Sequence, residues 1–156
     1  MIRVATAEDV DLLVALNEHV HVVHVEAEPQ RYRRTQAQEL RPWFAASVED
    51  SSCVYWLAFA EGSGAPVGYL RAVVRELPPN PFGFGRKELE VDQLAVAPAA
   101  RGQGWGRALM DAAEVYARGQ GCGSVVLSVM AFNTGARVFY EALGYAPQLT
   151  RMAKAL

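Results

Sequence analysis

The sequence predicts a single α/β (α+β) domain over residues 1–156, on three observations. Short runs rich in β-formers alternate with stretches of helical periodicity. A glycine-rich turn at 101–107 joins a strand to an amphipathic helix. The 156 residues are 51% hydrophobic and 21% charged, enough apolar matter for one core and too much for a disordered chain.

Each element has a local cause. Residues 2–5 read as a short strand, and Thr6 with Asp9 three places on reads as a capping box. Val10, Leu13, Val14 and Asn17 then keep helical spacing. Residues 19–34 are mixed and contain Pro29, which predicts a loop or broken helix. A second helix is expected over 40–48, with Pro42 near its start. Residues 53–60 and 67–74, separated by a Glu61-Gly62-Ser63-Gly64 turn, predict an antiparallel hairpin. Three prolines and two glycines make 77–86 a loop. A long strand follows at 88–96. Trp105, Leu109, Ala112 and Tyr116 mark a helix over 104–118, which Gly119 and Gly121 stop. A buried strand at 124–130, a short helix at 134–143 ended by Gly144, and a last strand from Tyr145 onward complete the expectation.

The bulk properties exclude several functions. Fifteen basic against 17 acidic residues give a net charge of −2, with no long block of one sign, so neither nucleic acid nor a membrane surface is an expected partner. No signal-peptide pattern and no membrane-spanning apolar run is found. Cys53 and Cys122, without framework spacing, read as free thiols in a cytoplasmic setting.

The turn carries the chemistry. A helix N-terminus exposes unpaired N–H groups and a partial positive charge, and glycines let a phosphate come close to the backbone. Arg101 and Arg107 add cationic side chains. These features predict an anion site for a di- or polyphosphate; the bland alternative is a glycine-capped turn with two solvated arginines. The Lys-Ser/Thr pair of a Walker loop is missing, and arginine stands at 107 where a dinucleotide fingerprint needs glycine.

Leu94-Ala95-Val96-Ala97-Pro98, followed by Arg101-Gly102-Gln103-Gly104-Trp105-Gly106-Arg107, resembles the central motif of the GNAT superfamily of N-acetyltransferases, Gln/Arg-x-x-Gly-x-Gly/Ala. Asn133, Ala136, Phe139-Tyr140 and Leu143-Gly144-Tyr145 resemble its second motif at the usual separation. The resemblance covers about residues 89–145. It implies a central mixed, mostly antiparallel sheet with splayed central strands flanked by helices. It also implies acetyl-CoA as cosubstrate in the splay. Leu94, Ala95 and Val96 would meet the pantetheine arm, Arg101, Gly102, Gln103, Gly104, Trp105, Gly106 and Arg107 the pyrophosphate, and Asn133, Ala136 and Phe139 the lower part of the cofactor.

An amine acceptor must lose a proton to attack a thioester, which costs roughly 4 kcal/mol for a lysine-like amine near pH 7.4. Glu88, Glu90 and Asp92 alternate along one strand face and offer bases. The resemblance favours Glu90, acting through water, with Asp92 second. A solvated strand face is the structural alternative for each. The resemblance favours Tyr140, one turn after Ala136, as the acid, with a core aromatic as the structural alternative; hydrogen bonding to the leaving thiolate suits it better than full proton transfer. Asn133 or Thr134 can cap the short helix.

His19, His21 and His24 near Glu26 and Glu28 match no tetrahedral metal spacing, so no metal is expected. The resemblance implies that this region walls the acceptor pocket, which makes Glu26, Glu28, Tyr32 and Trp43 weaker acceptor-site candidates. The acidic strand face suits a small-molecule or peptide amine, with direct transfer and no acetyl-enzyme. A non-catalytic acyl-CoA-binding regulatory module is the alternative. A homodimer through a sheet edge or the last strand is open.

Overall fold

The β-forming runs assemble into one five-stranded sheet in the order β1-β2-β3-β4-β5. The computed structural model describes residues 1–155. The strands are β1 (Ile2–Val4), β2 (Cys53–Phe59), β3 (Pro66–Leu77), β4 (Arg86–Val96) and β5 (Ser124–Leu127). Every neighbouring pair is antiparallel except β4 and β5, which are parallel. Helices α1 (Val10–Ala27), α2 (Ala37–Glu49), α3 (Trp105–Gly119) and α4 (Thr134–Ala142) complete the regular structure, with short 3-10 turns at Ala7–Asp9 and Pro98–Ala100.

Alternation along the strands divides the apolar residues between two cores. On one face α1 and α2 supply Leu13, Leu16 and Phe44 against Tyr55, Leu57, Tyr69 and Ala95. On the other α3 supplies Leu109, Met110 and Ala113 against Trp56, Leu70, Ala72, Leu89 and Val91, and α4 adds Phe139 and Tyr140 at the edge. Leu13, Leu57, Leu70, Leu89 and Leu109 are fully buried, each contributing about 2 kcal/mol from area removed from water.

Four segments depart from expectation. Helix α1 runs unbroken through His19 to Ala27. Packing outweighs the modest helix propensity of its many valines, and Val25 is buried. Glu28, disfavoured in helix by the following Pro29, ends it and donates its N–H to the His24 carbonyl at 2.9 Å. Pro42 sits inside α2; the carbonyl it cannot satisfy belongs to Gln38, which is exposed to water. The strand expected from Tyr145 does not form: residues 146–155 are exposed and have no regular structure. Pro147 lacks a ladder donor there, and the Tyr145 side chain turns back onto α3, where its hydroxyl donates to Glu114 Oε1 at 3.2 Å. Strand β5 also stops at Leu127, short of Met130.

The predicted capping box is present. Asp9 Oδ2 accepts from the Thr6 N–H at 2.8 Å and from the Thr6 hydroxyl at 3.1 Å. Arg3 reaches over from β1 and grips both Asp9 oxygens at 2.7 Å. These bonds hold the buried Asp9 carboxyl far below the usual carboxylate range, the Arg3 contact being the largest cause. A carboxyl depressed in the folded state stabilises fully above its unfolded pKa, and the contribution fades as pH falls through about 4 towards the folded value. Asp9→Asn is therefore expected to lose roughly 2 kcal/mol at pH 7. In urea melts across pH, the gap to the parent protein should narrow steadily as pH falls below about 4; a gap independent of pH contradicts the assignment.

Candidate functional site

Strand β4 pairs with β3 along nearly all its length but with β5 only from Glu88 to Val91. From Asp92 to Val96 its β5-facing edge has no strand partner among the described residues, so β4 and β5 part there. The parting coincides with a β-bulge: Arg71 opposes Gln93 while Ala72 opposes Val91, which leaves Asp92 as the extra residue. The bulge resets the alternation. Leu89 and Val91 face the α3 core, but beyond the bulge Ala95 faces the α1/α2 core and Leu94 the α3 core.

The phosphate-ready turn follows. Gly102 and Gly104 adopt φ of 75° and 86°, a region that favours glycine, and a Cβ on either would meet open space. The first bond inside α3 runs from the Ala108 N–H to the Gly104 carbonyl at 3.0 Å. The amides of Trp105, Gly106 and Arg107 thus have no helical acceptor and lie at the positive end of the helix dipole. Gln103 braces the turn by donating to the Ala99 carbonyl at 3.0 Å, and Arg101 Nε donates to the Val96 carbonyl at 3.2 Å. Among the described residues neither Arg101 nor Arg107 pairs with a carboxylate.

Gly106 has a packing duty. A Cβ there would stand 3.1 Å from the Phe139 ring, so its absence lets α4 close on the start of α3. Asn133 caps α4, its Oδ1 accepting the Ala136 N–H at 3.1 Å. Tyr140 lies edge-on to Phe139 and Tyr145, with ring centroids 5.1 and 5.9 Å away. Burial alone pushes its hydroxyl up to about 12. The structure thus gathers the turn and the Asn133–Tyr140 stretch on the α3 side of the parting.

The carboxylates lie on the other sheet face, each beside an arginine. Glu88 pairs with Arg86 at 3.2 Å and Glu90 with Arg75 at 2.6 Å, while Asp92 pairs with Arg71. Arg71 is the least exposed of these arginines. Its Nε donates to Ser47 Oγ at 3.1 Å, its Nη2 lies 3.1 Å from Cys53 Sγ, and its guanidinium sits over the Trp43 ring at 5.1 Å. Burial pushes the Asp92 carboxyl above the usual range, with Arg71 opposing.

Sequence reasoning missed Arg71, which joins the expected candidates Asp92 and Trp43, although an arginine in the otherwise apolar run 67–74 was a signal. It also missed a buried polar chain: Asn17 Nδ2 donates to the Tyr69 hydroxyl at 2.8 Å, which donates to Gln93 Oε1 at 2.8 Å. The weaker acceptor-wall residues fall in two places. Trp43 belongs to the Arg71 cluster. Tyr32 stacks edge-on with His24 at 5.1 Å, and His24 with Phe132 at 5.7 Å, while Glu28 pairs with Arg31 at 3.5 Å and Glu26 is exposed. Among the described residues no cluster of three or more His, Cys, Asp or Glu could hold a metal, both cysteines are free, and no helix is long and apolar enough to cross a membrane.

Solved structures share this fold, and curated proteins resemble the sequence. A Bacillus halodurans protein, solved as a tetramutant, superposes with a TM-score of 0.94 at 26% identity, covering 100% of this chain and 99% of that one. An aminoglycoside N-acetyltransferase solved in complex with CoA superposes at 0.78 with 15% identity, covering 100% and 93%, a likeness of fold alone. The mycothiol acetyltransferase of Amycolatopsis mediterranei is 33% identical over 88% of this chain and 43% of its own length. N-acetyltransferase 8 of Rattus norvegicus is 34% identical over 63% of this chain and 41% of its own. The chain thus spans less than half the length of these curated relatives. A model of the acetyltransferase (GNAT) family matches residues 17–145, and the chain belongs to that family.

Proposed function

We propose that this chain is an N-acetyltransferase that passes the acetyl group of acetyl-CoA directly to an amine. The observation that carries the reading is the unpaired α3 amino terminus, at Trp105–Arg107, set beside the edge that β4 exposes where it leaves β5. The residues fit the cofactor: those amides, with Arg101 and Arg107, would hold a pyrophosphate, and the open β4 edge at Leu94–Val96 would hold an amide-bearing arm. Acetyl-CoA supplies the acyl group already activated as a thioester.

Asp92 suits the base better than Glu90. It stands at the parting itself, and partial desolvation brings its carboxyl nearer neutrality, where a carboxylate accepts a proton more readily. Arg71 positions it as a positioning residue. Tyr140, at about 12, lies far above a thiol near 8.5, so it serves by hydrogen bonding to the departing sulfur rather than by giving up its proton. Cys53 packs against the α1/α2 core and Cys122 against the α3 core, as small apolar residues do, which favours direct attack by the amine over an acetyl-enzyme. The mycothiol and aminoglycoside enzymes among the similar proteins suggest small amine acceptors for the panel.

Thiol release from acetyl-CoA with polyamines, aminoglycosides, amino-acid derivatives and short peptides tests the reading. Turnover with one class supports it; tight CoA binding with no turnover favours the regulatory module. Gly104→Asp, which forces a side chain onto a positive φ and a negative charge into the turn, should weaken CoA binding at least tenfold by calorimetry. Tyr140→Phe should lower kcat roughly 100-fold while the Kd for CoA changes little. Asp92→Asn should lower kcat roughly 100-fold, and Glu90→Gln far less; the reverse order assigns the base to Glu90.

A further inference from the structure

A buried polar chain runs from α1 to β4, and the Asn17 amide nitrogen on the Tyr69 hydroxyl sets its direction. Asn17 and Tyr69 are buried in the α1/α2 core, at 6% and 0% exposure. The Asn17 amide donates to the Tyr69 hydroxyl at 2.8 Å. The single Tyr69 proton must then go to its other partner, Gln93, at 2.8 Å. That partner atom is therefore the Gln93 carbonyl oxygen, and the Gln93 amide nitrogen is turned away from Tyr69. Among the described residues this nitrogen meets no acceptor, yet no fully buried side-chain polar atom lacks a partner. The Gln93 Nε2 group is therefore not fully buried, on a residue that is itself half-buried.

Its location gives it a purpose. Gln93 follows the bulge at Asp92, on the stretch of β4 that β5 has left. Its side chain lies on the α1/α2 face, whereas the phosphate-ready turn and Tyr140 lie on the α3 side. A cofactor held by that turn leaves the α1/α2 side of the parting to the acceptor. Two polar side chains in an apolar core, whose visible effect is to aim one amide, mark that amide as a recognition group.

We infer that Gln93 donates a hydrogen bond from Nε2 to an oxygen carried by the acyl acceptor close to its reacting nitrogen, and so selects amines bearing a carbonyl, carboxylate or hydroxyl there. Tyr69 and Asn17 are positioning residues for it. The inference rests on the acetyltransferase reading above.

The test compares acceptors of similar size with and without the oxygen: glycinamide against propylamine, and glucosamine against cyclohexylamine. Thiol release from acetyl-CoA gives kcat/KM for each. The parent protein should prefer the oxygen-bearing member of at least one pair. Gln93→Met, which keeps the length and removes the donors, should lower that preference at least tenfold, chiefly through the acceptor KM. Tyr69→Phe should lower the same ratio in the same direction, a change that loss of stability alone does not produce. An unchanged ratio in Gln93→Met, or equal loss for both members of a pair as a contact to the acetyl carbonyl would give, overturns the inference. A parent protein that turns over only the plain amines overturns it while leaving the acetyltransferase reading intact. A parent protein that turns over no amine of the wider panel overturns both.

Discussion

Strand β4 has to serve two neighbours that leave it at different points. Its antiparallel ladder with β3 continues to Val96, whereas its parallel ladder with β5 ends at Val91. Backbone N–H and C=O groups seek partners wherever they lie, so a half-paired strand in mid-sheet is a ready edge for an extended ligand. The bulge at Asp92 makes the divergence possible without exposing the cores. It shifts the phase of the strand by one residue, so that Leu94 still covers the α3 core and Ala95 the α1/α2 core. The phosphate-ready turn lies just beyond the end of this strand, and its position follows from the same geometry.

The electrostatics of the two faces differ accordingly. The α3 side presents helix amides and two guanidinium groups that have no carboxylate partner among the described residues, an arrangement suited to an anion. The opposite face carries Glu88, Glu90 and Asp92, each held by an arginine. An exposed pair such as Arg75 with Glu90 contributes little to stability, because water screens it. The Arg71 pair is different: Ser47, Trp43 and Tyr55 enclose the guanidinium, which fixes Asp92 at the bulge.

Much of this was legible in the sequence. The glycine-rich turn, the capping residues Thr6, Asp9 and Asn133, and the hairpin of β2 and β3 all act locally, through backbone conformation or short-range hydrogen bonds. The common face of Glu88 and Glu90 follows from strand alternation. The bulge was not legible, because a strand written as Glu-Leu-Glu-Val-Asp-Gln-Leu gives no sign of which residue its neighbour will skip. The partnerships of Arg71 with Asp92, and of Asn17 with Tyr69 and Gln93, join residues 21 to 52 positions apart and depend on register. The expected last strand failed because propensity near Tyr145 was read without a partner edge, and Pro147 withholds a donor.

The central claim is that the turn at the start of α3 and the free edge of β4 form one CoA site. Backbone amide NMR during titration with CoA tests it most directly. The account predicts the largest shifts at Gln103–Arg107 and along Gln93–Val96, saturating with a single Kd. Shifts confined elsewhere, for instance to the hairpin loop between β3 and β4, or separate affinities for the turn and the strand edge, would contradict it.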